Sequence, residues 1–347
     1  MIQKYKYSDA NIIKLEGATG TLDTIIPNPV MDVQKPAIFV LGGEYTLNQY
    51  NARTYARYIR DVLSANSISD IDIYSAYYSW GSRMAGIDRT YRFLAQGKDV
   101  DIDSRYIDNI ANNIRQQNLQ FEPVPMYAQK IFNQIFAPRI ENAEHKRFNK
   151  RQLMHNTNAL IWTHCQSAAT MLYVQDILRD RMKSMGYKTS EIRDFQQNIL
   201  VIQHEPAAPL GELEFNTVSF MAADDSTTCQ HDIFSQQAKD FQTALRPSYF
   251  PQGNLFTAYR MRIDKISETL SEHNNLGMTT PDYQTLSNDG KRIFQIQKNV
   301  LVRGAQAIKE RKPVPAIQGL AGEDFFELQN NGYEFLTNAQ IMARHGR

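Results

Sequence analysis

One stretch of this sequence constrains the fold more than any other: Asn158-Ala-Leu-Ile-Trp-Thr-His-Cys-Gln-Ser-Ala-Ala-Thr-Met-Leu172. Its apolar run, Ala159–Trp162, predicts a buried strand, and the chain from Ala168 to Lys183 predicts a helix. A strand that passes into a helix through a short turn is typical of the βα units of parallel sheets. The sequence therefore predicts an α/β fold: a mostly parallel central sheet with helices on both faces.

Other segments continue the alternation of strand and helix. Pro36–Leu41 predicts a buried strand that ends at Gly42-Gly43, Tyr50–Ala65 predicts an amphipathic helix, and Ile71–Tyr78 predicts the next strand. Later strands are predicted at 198–203, 216–221 and 254–261, and helices at 105–117, 126–136, 234–245 and 293–309.

These elements divide the chain into three parts. Residues 1–35 predict edge strands or an irregular N-terminal lead-in, 36–310 an α/β domain, and 311–347 a C-terminal arm. No strand is predicted between 82 and 158, which indicates a helical insertion before the strand at Ala159.

Charge and cysteine content narrow the class of protein. The chain has 38 basic and 37 acidic residues and a net charge of +1, so we expect no nucleic-acid partner and no anionic membrane surface. Two cysteines cannot build a disulfide framework and indicate a reducing compartment. There is no transmembrane run and no Sec signal peptide, which predicts a soluble protein that is cytoplasmic at synthesis. Signal-independent secretion would leave no trace in this sequence.

The turn after the strand at Ala159 carries the main chemical signal. Thr163 and Ser167 are small residues placed two positions before and after Cys165. This resembles the nucleophile elbow of the α/β-hydrolase superfamily, and His164 matches the Gly-His-Ser-x-Gly form of that elbow. Thr163 and Ser167 stand where the family has glycine. The resemblance implies an α/β-hydrolase-like fold with Cys165 as nucleophile in place of serine.

Two other interpretations of this turn stay open. In a shifted register, Ser167 is the nucleophile between Cys165 and Ala169. Alternatively, the turn belongs to another doubly wound fold, and Cys165 is an inert buried thiol.

The resemblance also implies an acid and a base later in the chain. His273 follows the last predicted strand, where the superfamily places its catalytic histidine. Asp224 and Asp225 follow the strand predicted at 216–221, and Asp225 suits the spacing slightly better as the acid. Glu205 is a competitor, because His204-Glu-Pro-Ala-Ala-Pro209 resembles the Asp-Pro-Ala-x-Pro segment of lipases related to pancreatic lipase.

An oxyanion hole would need two backbone N–H groups. The resemblance assigns one to Gln166 and the other to Glu44, in the turn Gly42-Gly43-Glu44 that resembles the family's His-Gly-x turn. Gly42-Gly43 also fits a phosphate-binding turn, but no P-loop lysine or complete GxGxxG accompanies it. We predict no cofactor and no metal site, since the histidines are scattered and no Cys-x-x-Cys occurs.

Together these residues predict a hydrolase or acyltransferase of the esterase, lipase-like or thioesterase kind. It would act on the ester, lactone or thioester of a small-molecule or lipid-like acyl substrate through a Cys–His–Asp/Glu triad. Thiol variants of this fold, similar to dienelactone hydrolase, fit a cysteine nucleophile. The alternative is a catalytically degenerate hydrolase scaffold that serves as a binding or interaction protein.

Overall fold

The computed structural model describes residues 11–17, 23–42, 46, 49–77, 128–144, 150–164, 167–204, 213–220, 288–315 and 317–323. Within these ranges seven strands form one sheet: β1 (Asn11–Glu16), β2 (Thr24–Pro27), β3 (Ala37–Leu41), β4 (Asp72–Tyr77), β5 (Ala159–His164), β6 (Leu200–His204) and β7 (Asn216–Phe220). The helices are α1 (Gln49–Ala65), α2 (Ala137–Glu144), α3 (Lys150–His155), α4 (Ser167–Ser184), α5 (Thr189–Gln197), α6 (Asn288–Lys309) and α7 (Ile317–Ala321).

The strand order across the sheet is β2-β1-β4-β3-β5-β6-β7. β1 is antiparallel to both β2 and β4, and the five strands from β4 to β7 in this order are parallel. The structure is therefore an α/β protein with a mostly parallel, mixed sheet.

The order of the parallel strands reverses between β3 and β5. From β3 the chain crosses through α1 to β4 on one side, and from β5 it crosses through α4 and α5 to β6 on the other. β3 and β5 are nonetheless direct neighbours, with Leu41 paired to Thr163. In open α/β sheets ligands bind outside the carboxyl ends of the strands at such a topological switch point.

Two hydrophobic layers cover the sheet. On one face, Val40 and Trp162 belong to the layer formed by α1, α6 and α7. On the other, Phe39 and Ile161 belong to the layer formed by α4, α5 and the helical segment 128–144. Successive residues of a strand point to opposite faces, so continuous apolar runs such as Ala159–Trp162 are buried on both sides.

Most predicted boundaries lie within two residues of the observed ones. β3, β4, β5, β7 and the helices α1 and α4 match their predicted segments, while α6 begins five residues before the predicted start at Ile293. The lead-in predicted at 1–35 contributes the antiparallel strands β1 and β2. The helix predicted at 105–117 and the elements predicted at 234–245 and 254–261 lie outside the described residues.

The helix predicted at 126–136 is longer than expected. The helical segment continues to Glu144 and includes a π-helical turn, Phe132–Phe136, just before Pro138. The Ala137 N–H bonds to the Phe132 carbonyl, five residues back, so this turn is wider than an α-turn. Proline lacks the N–H that an α-helix needs and crowds the preceding turn, and the π-helical turn lets the helix pass this point.

None of the helices in the described ranges combines the length and apolar composition that a membrane span requires.

Candidate active site

The carboxyl ends of β3 and β5 meet at the switch point, where the sequence predicts the site. Gly42 directly follows β3, and a Cβ at this position would lie 2.1 Å from Thr46 Oγ1 and 2.9 Å from Tyr55 Cε2. A side chain would collide with both, so glycine is needed for the chain to pass this close to α1. Thr46 is fully buried, and its hydroxyl has no hydrogen-bond partner within the part of the chain that the structure describes.

Ser167 connects the end of β5 to the start of α4. Its Oγ accepts a hydrogen bond of 2.9 Å from the His164 N–H. The same oxygen lies 2.6 Å from the Leu41 carbonyl and 2.9 Å from the His164 carbonyl, so its single hydrogen is donated to one of them. This hydroxyl therefore joins the end of β3 to the end of β5.

These contacts bear on the interpretation in which Ser167 is the nucleophile. Its side chain is 1% exposed, and its oxygen already interacts with three backbone groups. A nucleophile must reach the substrate carbonyl and pass its proton to a base. The structure thus argues against Ser167 as the nucleophile and gives it a structural role.

His164 ends β5 next to Cys165 in the chain. Its Nδ1 lies 3.1 Å from the Tyr55 hydroxyl, a buried hydrogen bond between β5 and α1. The Tyr55 ring also packs against Trp162, with ring centroids 5.3 Å apart. Tyr55 of α1 therefore contacts the end of β5 directly before Cys165, through one hydrogen bond and one ring contact.

A row of rings crosses the sheet from this point. His204 ends β6 and pairs with His164 in the register of the two strands. Its ring lies 5.0 Å from Trp162 and 5.4 Å from Phe220, between centroids. Burial, with a smaller contribution from the charge of His164, lowers the pKa of His204 to about 3. His204 is therefore neutral near neutral pH.

Further polar groups lie at the carboxyl ends of the strands. The Ser219 hydroxyl of β7 donates to Gln203 Oε1 of β6 at 2.9 Å. The Ser75 hydroxyl of β4 is buried, and no group of the described residues forms a hydrogen bond with it. Buried hydroxyls, amides and imidazoles thus extend along the carboxyl edge from β4 to β7.

The residues predicted to do chemistry lie outside the described residues: Cys165, His273, Asp225, Asp224, Glu205, Gln166, Glu44 and Gly43. The structure describes the chain on either side of the turn, from His164 and from Ser167, and on the approach to Glu205 as far as His204.

Sequence analysis did not assign a role to Tyr55, Thr46 or the ring contacts of His204. Tyr55 lies within the helix predicted at Tyr50–Ala65, and His204 entered only as the first residue of the segment that contains Glu205. The two-residue period of β5 puts Trp162 and His164 on one face. No local pattern pairs Tyr55 with His164, which follows it by 109 residues.

Metal binding has no support within the described ranges. They contain no group of three or more His, Cys, Asp or Glu side chains placed to hold an ion.

The structure defines a mostly parallel α/β protein with a polar, ring-lined edge at its switch point. No protein-family model matches this chain, and a search of curated proteins found no significant match.

Proposed function

We propose that this protein is an acyl-transfer enzyme, a hydrolase or acyltransferase of esters, lactones or thioesters, with an α/β-hydrolase-like fold and Cys165 as nucleophile. The observation that carries the proposal is the adjacency of β3 and β5 at the switch point. An oxyanion hole needs an N–H from the loop after β3 and one from the residue after the nucleophile. Adjacent carboxyl ends allow those two groups to approach the same oxygen.

The order of functional residues along the chain supports the same proposal. Gly43 and Glu44 follow β3, Cys165 and Gln166 follow β5, Glu205 follows β6, and Asp224 and Asp225 come shortly after β7. The carboxyl ends of parallel strands meet at one edge, so residues that follow four of them are candidates for a single site.

In the proposed reaction His273 takes the Cys165 proton, and the thiolate sulfur attacks the acyl carbon. The N–H groups of Gln166 and Glu44 stabilise the resulting oxyanion. His273 protonates the leaving alcohol or thiol as its bond to the acyl carbon breaks, which leaves an acyl thioester on Cys165. Water, deprotonated by His273, or an acceptor alcohol then releases the acyl group. Asp225, or alternatively Asp224 or Glu205, orients the imidazole.

The test is the pH dependence of Cys165 alkylation by iodoacetamide, in a Cys229→Ala background that leaves one thiol. An activated thiol would titrate well below the usual pKa of about 8.5, and His273→Ala would raise that value. Hydrolysis of p-nitrophenyl and acyl-thioester substrates, lost in Cys165→Ala, would complete the assignment. A thiol that titrates normally and is indifferent to His273 would overturn the mechanism.

One observation favours the second candidate, a binding protein that retains the scaffold without catalysis. Thr163 and Ser167 occupy the elbow positions where the α/β-hydrolase family has glycine, and both side chains are buried. Ser167 is held by three backbone groups, and Thr163 Oγ1 lies 3.5 Å from the Ile202 carbonyl. An unreactive Cys165 with intact folding would support this candidate.

A further inference from the structure

A second cleft lies at the opposite edge of the sheet, where β5 and β6 begin. Its polar lining includes Asn158, just before β5, and Asn198, just before β6. Arg311 and Lys312, which follow α6, line it as well, and Met154 and Ile308 contribute apolar surface. The cleft has a volume of about 200 Å³, large enough for a small organic molecule. We call it the amino-edge cleft.

Asn158 carries an unusual polar side chain for a strand entrance. The residue is 4% exposed, and neither its Oδ1 nor its Nδ2 has a hydrogen-bond partner among the described residues. Its backbone is occupied, since the Asn158 carbonyl accepts the Ala37 N–H at 3.1 Å. A buried amide without partners costs free energy, and such groups mark places where a water or ligand completes the structure. Asn158 offers that molecule one donor group and one acceptor.

Arg311 occupies a backbone conformation that normally selects glycine. Its φ is +54°, and the N–H groups of Arg311 and Lys312 bond to the Ile308 and Ala307 carbonyls, as in a Schellman helix end. Glycine reaches this conformation without steric cost, and an arginine does not. Strained residues of this kind cluster at ligand sites, where the side chain has a use.

The Arg311 guanidinium is oriented by neutral acceptors. Nη2 donates to the Gln34 carbonyl at 2.6 Å, and Nη1 lies 3.3 Å from His155 Nδ1. Arginine can only donate, so His155 Nδ1 is the acceptor in this contact. Within the described residues no carboxylate lies in ion-pair range of Arg311, whereas Lys312 contacts Glu310 at 2.5 Å. The charge of Arg311 is therefore available for an anion.

We propose that the amino-edge cleft binds a small molecule that carries an oxyanion beside an amide-like group. Arg311, with Lys312 near it, pairs with the carboxylate or phosphate, Asn158 exchanges hydrogen bonds with the neighbouring group, and Met154 and Ile308 cover the apolar part. No acidic side chain from the described residues lines the cleft to repel an anion. The inference is independent of the proposed acyl-transfer function, which belongs to the carboxyl edge.

The test is isothermal titration calorimetry of the full chain with three probes at low salt. N-acetylglycine has a carboxylate and an amide, inorganic phosphate has only the anion, and N-acetylglycinamide has the amide without the charge. We expect saturable, salt-sensitive binding of N-acetylglycine or phosphate and none of N-acetylglycinamide. Phosphate binding above that of N-acetylglycine would identify a phosphorylated ligand, and the reverse order a carboxylate. Absence of binding for both anions would overturn the proposal.

Substitutions at three positions locate the binding. Arg311→Gly removes the cation, suits the local backbone and should keep the fold, while reducing affinity at least about tenfold. Asn158→Leu should also reduce the affinity for N-acetylglycine relative to the parent. Asn158→Ala gives a second test if leucine impairs folding. Lys183→Ala removes an exposed cation from the last turn of α4, outside the cleft, and should leave affinity unchanged. Equal losses in Arg311→Gly and Lys183→Ala, or no loss in the Asn158 variants, would show surface ion pairing and overturn the proposed site.

A further variant separates this proposal from the proposed enzyme. Cys165→Ser changes the candidate nucleophile and should leave binding at the amino-edge cleft intact. Unchanged binding in that variant supports two separate sites, whatever the outcome of the alkylation test. Loss of N-acetylglycine and phosphate binding in Cys165→Ser, with the fold retained, would overturn the assignment to this cleft.

Discussion

The Ser167 hydroxyl lies 2.6 Å from the Leu41 carbonyl oxygen, a contact between residues 126 positions apart. It joins the end of β3 to the start of α4, across the point where the strand order reverses. The His164 N–H donates to the same hydroxyl. One small side chain thereby connects the ends of the two strands after which we assign the chemistry.

Replacing this hydroxyl should destabilise the protein. Ser167→Ala leaves the buried His164 N–H without a partner, so we expect the free energy of unfolding to fall by about 1–3 kcal/mol. Urea denaturation measures the change. Ser184→Ala is the matched control, because its hydroxyl donates to the Arg181 carbonyl at an exposed helix end, and its effect should stay within about 0.5 kcal/mol. Similar losses in both variants would contradict the role assigned to Ser167.

The close approach at Gly42 predicts a coupled pair of substitutions. In Gly42→Ala the new methyl group would meet Thr46 Oγ1 and Tyr55 Cε2, and we expect a loss of about 1–3 kcal/mol. Thr46→Ala alone removes a buried hydroxyl that none of the described residues hydrogen-bonds, so its cost should be smaller. The double variant should recover at least about 0.5 kcal/mol relative to the sum of the single changes. Strict additivity in urea denaturation would refute the contact.

His204 predicts a specific loss of stability in mild acid. Burial lowers its pKa to about 3, from the ordinary value of 6.5 that holds in the unfolded chain, so protons bind the unfolded state more readily. Above pH 6.5 this group takes nothing from the free energy of unfolding. As the pH falls from 6.5 towards 3, the free energy of unfolding decreases progressively. The total reaches several kcal/mol, since each pKa unit corresponds to about 1.4 kcal/mol.

Denaturation curves between pH 7 and pH 4 test this expectation. His204→Phe keeps an aromatic ring between Trp162 and Phe220 and removes the titrating group. Its stability should fall less steeply with acid than that of the parent. An identical slope in the two proteins would show that other groups cause the acid dependence.

Arg139 offers a test of a buried charge. It is 1% exposed, its Nη1 donates to the Ile135 carbonyl at 2.8 Å, and the guanidinium lies 5.1 Å from the centroid of the Phe39 ring. No carboxylate of the described residues pairs with it, and burial lowers its pKa to about 10. Arg139→Met keeps the apolar volume and should leave stability within about 1 kcal/mol of the parent, or raise it.

Arg139→Ala is the comparison, because it also leaves a cavity and should cost about 2–5 kcal/mol. Thermal and urea unfolding of the two variants separate the effect of losing the charge from the effect of losing the packed side-chain volume. If Arg139→Met destabilised the protein as much as Arg139→Ala, the charge of Arg139 would itself be stabilising, through a partner other than the groups named above.

The sequence by itself determined the class of this fold and the positions of its parallel strands. The strand-like segments 36–41, 71–78 and 159–162 alternate with helical segments, and that alternation is enough to predict a mostly parallel sheet with helices. These signals can be read locally, because the period of a pattern and the turn residues that end it lie within one segment. The limit of local reading shows at Pro138, where the helix continues past the predicted end because a π-helical turn accommodates the proline.

The tertiary structure alone decided which groups meet. The Tyr55–His164 bond, the Ser167–Leu41 contact and the cleft between Asn158 and Arg311 join residues more than a hundred positions apart. Local sequence patterns do not encode which strands become neighbours, because that depends on how the crossover helices pack on the two faces of the sheet. The same packing places three backbone groups within hydrogen-bond distance of the Ser167 hydroxyl. These contacts argue against Ser167 as the nucleophile and leave Cys165 as the candidate.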